Sequence, residues 1–154
     1  MITFAITYFA SLVMLLTMIN AQAQDIRDAQ WISSSSILTP SATHYSINWD
    51  FAIQKGNAGF LFSGNAKHNT YYMWQVNLES GKERLKPFIC INGAFKLLDD
   101  IDISNKVNIR QDKGRMHHLR LDINQNVVTT NIDGVMVSTY QLPYPEVSYG
   151  EIGI

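Results

Sequence analysis

The chain has 154 residues, 46% of them hydrophobic and 16% charged, enough apolar material for one domain whose core removes roughly 70% of the unfolded surface from water. Twelve basic residues against thirteen acidic ones leave a net charge of −1. No cationic surplus exists to neutralise phosphates, which argues against a nucleic-acid partner.

Residues 1–23 open the chain with an uncharged apolar run, "MITFAITYFASLVMLLTMINAQA". It ends in Ala21-Gln22-Ala23, a small-x-small pattern of the kind signal peptidase cuts, and this predicts a signal peptide with Gln24 as the new N-terminus. The destination is then the cell surface, the periplasm or the medium. No Lys or Arg precedes the apolar run, so an uncleaved anchor is the alternative. Cys90 is the sole cysteine, far from the cleavage region and without a partner for an internal disulfide. In "FICI" it reads as a small core residue.

A lead follows over 24–43, and from residue 44 onward the apolar pattern has period two, which predicts strands rather than helices. In "YSINWDFAI", Ile47, Trp49, Phe51 and Ile53 fall on one face; Ser46, Asn48, Asp50 and Ala52 fall on the other. The first face is core and the second is wet. Strand-like runs continue in "AGFLFS", "TYYMWQVNL", "RLKPFICI", "FKLLDDIDI", "HHLRLDI", "VVTTNI" and "VMVSTY". Between them Ser80-Gly81, Asn92-Gly93, Asn124-Gln125-Asn126 and Asp133-Gly134 supply the residues that tight hairpins require, while Lys55-Gly56-Asn57, Gly64-Asn65 and Gly114 mark longer loops. Hairpins imply antiparallel pairing, and so many short strands imply an all-β, antiparallel two-sheet sandwich.

The run "HNTYYMWQVN" at 68–77 divides by alternation into Tyr72, Trp74, Val76 and Leu78, the more apolar set, and Tyr71, Met73, Gln75 and Asn77. The first set belongs in the core. The second combines a ring for the apolar face of a pyranose with amides for its hydroxyls, as a shallow sugar site does. Ordinary cross-strand packing would read the same way. Tyr71 and Gln75, with Asn48 and Asp50 if their strand is adjacent, are the candidate carbohydrate-binding residues.

The order "GFLFSGNAKHNTYYMWQVN", "RLKPFICINGAFKLLDDIDIS", "GRMHHLRLDINQNVVTTNIDGVMVSTY", "GEIGI" resembles the concanavalin A-like, laminin G-like jelly-roll modules of secreted bacterial carbohydrate-active proteins. The resemblance spans 44–154. It is strongest toward the modules near the N-terminus of α-L-rhamnosidase-type glycoside hydrolases, whose start is also similar to "AQWISSS". Where those modules have an arginine after the "GFLF" strand this chain has Ser63, and Met116 stands where a tryptophan precedes the "HH" pair. The resemblance implies a jelly roll that serves as an accessory carbohydrate-binding or structural module, with a polysaccharide or oligosaccharide and a downstream catalytic domain as partners. The family continues through one further strand beyond Ile154, so the resemblance implies either an N-terminal fragment of a larger enzyme or a free-standing module with an unpaired edge, which invites aggregation or pairing with another chain.

Catalytic residues are not evident. A glycosidase needs two carboxylates about 5 Å or 6.5–9.5 Å apart, whereas Asp50, Asp122, Glu79, Glu83, Glu146 and Glu151 are scattered along the chain. No cofactor is expected. Asp99, Asp100 and Asp102 read as a solvated strand end, with calcium as the alternative. His117 and His118 are strand neighbours facing opposite ways, one buried beside Leu119 and Leu121 and the other exposed beside Arg120, so no shared metal is expected. The enzymatic alternative is a stand-alone glycoside hydrolase, or a sandwich of the 3-ketoglycoside hydrolase or lyase type. It would have to be built on His44, His68 and His118.

Overall fold

The computed structural model describes residues 31–32, 44–65, 69–79, 81–112, 114–144 and 151–154. The signal peptide expected at 1–23, most of the lead and His68 lie outside the described residues. Eleven strands and no helix are found among them. They are β1 (Trp31–Ile32), β2 (His44–Phe51), β3 (Asn57–Asn65), β4 (Thr70–Asn77), β5 (Arg84–Ile91), β6 (Ala94–Leu97), β7 (Ile101–Asp102), β8 (His117–Asn124), β9 (Val127–Ile132), β10 (Val135–Gln141) and β11 (Glu151–Gly153).

All pairings are antiparallel, and they build two sheets. One runs β1-β11-β3-β4-β5-β6, with β7 also on β5; the other runs β10-β9-β8-β2. Period-two alternation decides what lies between them. Phe60, Phe62, Tyr72, Trp74, Val76, Leu85 and Ile89 from the larger sheet meet Ile47, Phe51, Leu119, Leu121, Ile123, Val128 and Ile132 from the smaller. Each such side chain contributes roughly 1.5–3 kcal/mol by leaving water. Trp74 is fully buried, and its indole N–H donates to Thr130 Oγ1 across the gap at 3.0 Å. Trp49 is half-buried at the margin of this core, tilted against Phe60.

Two of the hairpin signals hold as two-residue turns, while Ser80 of a third lies outside the described residues. Asn92-Gly93 and Asp133-Gly134 both carry two successive positive φ angles, 52° and 83°, then 51° and 79°, the geometry a two-residue turn between twisted strands requires. Three features differ from expectation. Gly64-Asn65 lie inside β3, beyond a bulge at which Ser63 takes φ 49°; the Ser63 hydroxyl is bonded to Tyr45 OH at 2.7 Å, so the bulge ties the two sheets together. The run "FKLLDDIDI" is not one strand but β6 and β7. Opposite the break, Leu98 N–H donates to Pro87 O at 2.9 Å. A strand residue's N–H and C=O point the same way, so the donor that proline lacks faces this break and the ladder is interrupted there. Finally, β11 is held between β1 and β3, through Ile32↔Ile152 and Glu151↔Gly64, where an unpaired edge was expected.

Candidate functional site

The outer face of β10-β9-β8-β2 carries rows of polar side chains. Cross-strand register aligns Asn48, Arg120, Asn131 and Met136 in one row over all four strands. A second row holds Ser46, Asp122, Thr129 and Thr139, and Asp50 opposes His118 beside them. A depression of about 460 Å³, within the size range of small-ligand sites, opens among Asn48, His118, Arg120, Asp122, Asn131 and Gly134.

Its side chains hold one another in place. His118 Nδ1 lies 2.7 Å from Asp50 Oδ1, and Nε2 lies 3.2 Å from the Asn48 amide oxygen. An amide offers an acceptor on one side and a donor on the other, so Asn48 can hold the ring in either protonation state. Arg120 Nε donates to Asp122 Oδ1 at 2.8 Å, and its Nη2 reaches the same carboxylate at 2.7 Å. Burial pushes the Asp122 carboxyl up, but bonds from Arg120 and Ser46 outweigh it and hold Asp122 below the usual carboxylate range. Arg120 is correspondingly raised. Asn131 is half-buried, and its side-chain amide has no hydrogen-bond partner among the described residues. Beside it Met136 is 57% exposed.

Beneath this face His117 points inward, as alternation requires, and is 3% exposed. Its Nδ1–H donates to Asp133 Oδ2 at 2.7 Å, and the other Asp133 oxygen accepts His118 N–H at 2.8 Å. One turn carboxylate therefore anchors both histidine positions to the β9–β10 hairpin. Burial raises the Asp133 carboxyl, yet these bonds prevail and keep it low.

The four expected sugar-contacting residues do not form one surface. Asn48 and Asp50 are on β2, in the smaller sheet; Tyr71 and Gln75 are on β4, in the larger. With the core between the sheets, the two pairs face opposite sides of the molecule. Tyr71 is 2% exposed and Gln75 5%, and neither lines the depression, so neither is offered to a ligand there. Tyr71 joins a second apolar cluster with Leu61, Met73, Cys90 and Phe88 and stacks edge-on against Phe95; Gln75 is locked between Asn57 and Asn77. Packing explains this stretch. Sequence reading did not group Arg120 and Asn131 with Asn48, and it named His118 only for the enzymatic alternative and Asp122 only as a scattered carboxylate; their outward phase on β8 and β9 was visible, their neighbours were not.

Other expectations find their places as follows. Asp100 and Asp102 pair with Arg84, and Lys82 adds a further bridge to Asp102 at 3.0 Å. A hydrogen bond from Ser104, followed by Lys82, holds Asp102 far below its ordinary range. Among the described residues no group of three or more His, Cys, Asp or Glu is arranged to hold a metal. Cys90 is buried in the second cluster, not between the sheets.

No protein-family model matches this chain, and no curated protein matches it. Solved structures do. The carbohydrate binding module CBM66 from Bacillus subtilis superposes with a TM-score of 0.56 at 16% identity, over 72% of this chain and 65% of that one. Sheep galectin-11, in complex with glycerol, does so with a TM-score of 0.57 at 11% identity, over 82% and 86%. The fold is an antiparallel jelly-roll sandwich. The chain thus spans about 65% of the length of the CBM66 module. At such identities the likeness establishes the jelly roll and nothing finer.

Proposed function

We propose that this chain is a carbohydrate-binding module of an exported polysaccharide-degrading enzyme, and that it holds a saccharide on the outer face of β10-β9-β8-β2. The observation that carries the reading is the row Asn48, Arg120, Asn131, Met136 above a shallow depression. Three planar polar groups offer donors and acceptors in fixed directions, and an exposed methionine offers an apolar surface to sugar C–H groups. The Asn131 amide is free to take a hydroxyl; Arg120 keeps donors beyond those used on Asp122. Likeness of fold to a carbohydrate binding module and to a galectin supports the class of ligand. The resemblance of 44–154 to rhamnosidase-associated modules supports an α-L-rhamnosidase-like parent with a downstream catalytic domain, and the apolar segment 1–23 supports export. The glycan partner is a polysaccharide or oligosaccharide.

A glycan array or affinity gel tests this. Arg120→Ala should weaken retention about tenfold or more, since a hydrogen bond from a charged group is worth roughly 1.5–3 kcal/mol, with the melting temperature little changed. Retention unaltered by Arg120→Ala and Asn131→Ala together would remove this face from the proposal.

One observation favours a hydrolase reading, the Asp50–His118 pair at 2.7 Å. Against it, Asp50 and Asp122 are the carboxylates sharing this face, and the four residues from His118, which opposes Asp50, to Asp122 put roughly 13–14 Å of strand between them. That exceeds the 5–9.5 Å a glycosidase pair uses. Release of a chromophore from aryl glycosides, lost in His118→Ala, would reverse this preference.

A further inference from the structure

We propose a second saccharide subsite in the cleft at the end of the sandwich, where the loop 104–111 folds back on the start of β5. It is an open depression of about 700 Å³, and its lining includes Glu83, Asn105, Lys106, Asn108, Arg110 and Gln111. None of these belongs to the sheet face described above, and only the class of ligand is shared with that reading.

Glu83 is the centre of the argument. It is 5% exposed, and its Oε1 accepts the Arg110 backbone N–H at 3.1 Å. Its own backbone carbonyl accepts Ile103 N–H at 3.0 Å, so the residue pins both ends of the loop. Among the described residues that single N–H is the carboxylate's only hydrogen-bond partner, and no cation lies within ion-pair distance of it. Neither Glu83 oxygen is among the fully buried polar atoms left without a partner, so Oε2, which Arg110 N–H does not occupy, can be reached from outside and has acceptor positions to offer. The cleft is the side from which donors can come.

The remaining lining selects the ligand. Lys106 Nζ is spent on Val137 O at 2.9 Å. The Arg110 guanidinium lies over Gly81, its Nη1 3.4 Å from the place a Cβ would take. Two positive groups at the rim repel a cation, and the Glu83 carboxylate repels an anion. A neutral polyol meets neither objection. A sugar hydroxyl can donate to the Glu83 oxygen that Arg110 N–H leaves unused, while the amides of Asn105, Asn108 and Gln111 serve the rest, each as donor and acceptor.

Amide-resolved NMR spectra of the full chain, titrated separately with methyl α-L-rhamnoside, methyl β-D-galactoside and methyl fructoside, test the subsite. The amide signals of Gly81, Asn108 and Arg110 should move saturably with at least one glycoside. Glu83→Gln keeps an acceptor for Arg110 N–H and should weaken that response about tenfold or more, while Arg120→Ala leaves it unchanged. Asn108→Ala with Gln111→Ala must weaken it too, which keeps the test open should Glu83→Gln loosen the loop. Silence at Gly81, Asn108 and Arg110 with all three glycosides overturns the proposal. So does a midpoint unchanged in either variant, or a response to calcium chloride alone. Signals from Arg120 and Asn131 report the sheet face in the same spectra, so the two sites stand or fall separately.

Discussion

Trp74 shows how one side chain can serve two terms of stability at once. Its ring fills the space between the sheets, edge-on to Phe62, Tyr72 and Tyr140, while its N–H satisfies the Thr130 hydroxyl. Trp74→Ala should cost about 3–5 kcal/mol in urea unfolding. Trp74→Phe retains much of the ring but strands Thr130 Oγ1, a loss of about 1–3 kcal/mol. Tyr71→Ala with Gln75→Ala should likewise lower the unfolding midpoint, by about 3 kcal/mol or more, because both are buried; a loss of glycan binding without loss of stability would contradict their placement. Acid sensitivity also belongs to single residues. Asp102, Asp122 and Asp133 are all held below their ordinary value of 3.8. A depressed carboxyl contributes stability above its unfolded pKa and loses it as pH falls through the folded one. Denaturant midpoints should therefore be level down to about pH 5 and fall below about pH 4. Asp133→Asn should flatten part of that fall.

Among the elements, β4 is the one whose two faces defeated a simple reading. Alternation assigned its sides correctly, Tyr72, Trp74 and Val76 inward and Tyr71, Met73, Gln75 and Asn77 outward, yet all seven are buried. Period two tells which way a side chain points, not whether that side meets water. The β9–β10 hairpin was legible down to its turn, because Asp-Gly at 133–134 is a short-range signal with a steric cause. Gly134 has φ +79° with nothing within 4 Å of a would-be Cβ, so Gly134→Ala meets no clash and should cost only the backbone strain, about 1 kcal/mol. Gly93→Ala combines φ +83° with Asn69 Nδ2 at 3.1 Å and should cost more in the same assay. The split of β6 from β7 had a signal too. Pro87 sits in "RLKPFICI", but which neighbour its missing donor would face depends on strand order.

For the molecule as a whole, edges matter most. β11 has β3 on one side and only the two residues of β1 on the other. A variant beginning at His44 would lack β1 and expose the β11 backbone donors and acceptors, which invites pairing with another chain. Light scattering should show it to associate more than a chain beginning at Gln24; equal behaviour would mean that β1 contributes nothing to edge protection. The sheet face also exists only at this scale. Asp50 and His118 are 68 residues apart in the chain, and strand adjacency alone makes them neighbours.

Composition, charge and a period of two were sufficient, by themselves, for the fold class, the hairpins and the phase of nearly every strand. These are local properties: steric demands at turns and the alternation of side chains repeat over a few residues and leave a readable trace. Which strands lie side by side, and so that Asn48 and Asp50 join His118 and Arg120 rather than Tyr71 and Gln75, was decided by the tertiary structure alone. The reason is physical. An antiparallel ladder forms through backbone hydrogen bonds that any residue except proline can donate, so its choice of partner rests on global packing and carries little signature in the sequence of either strand.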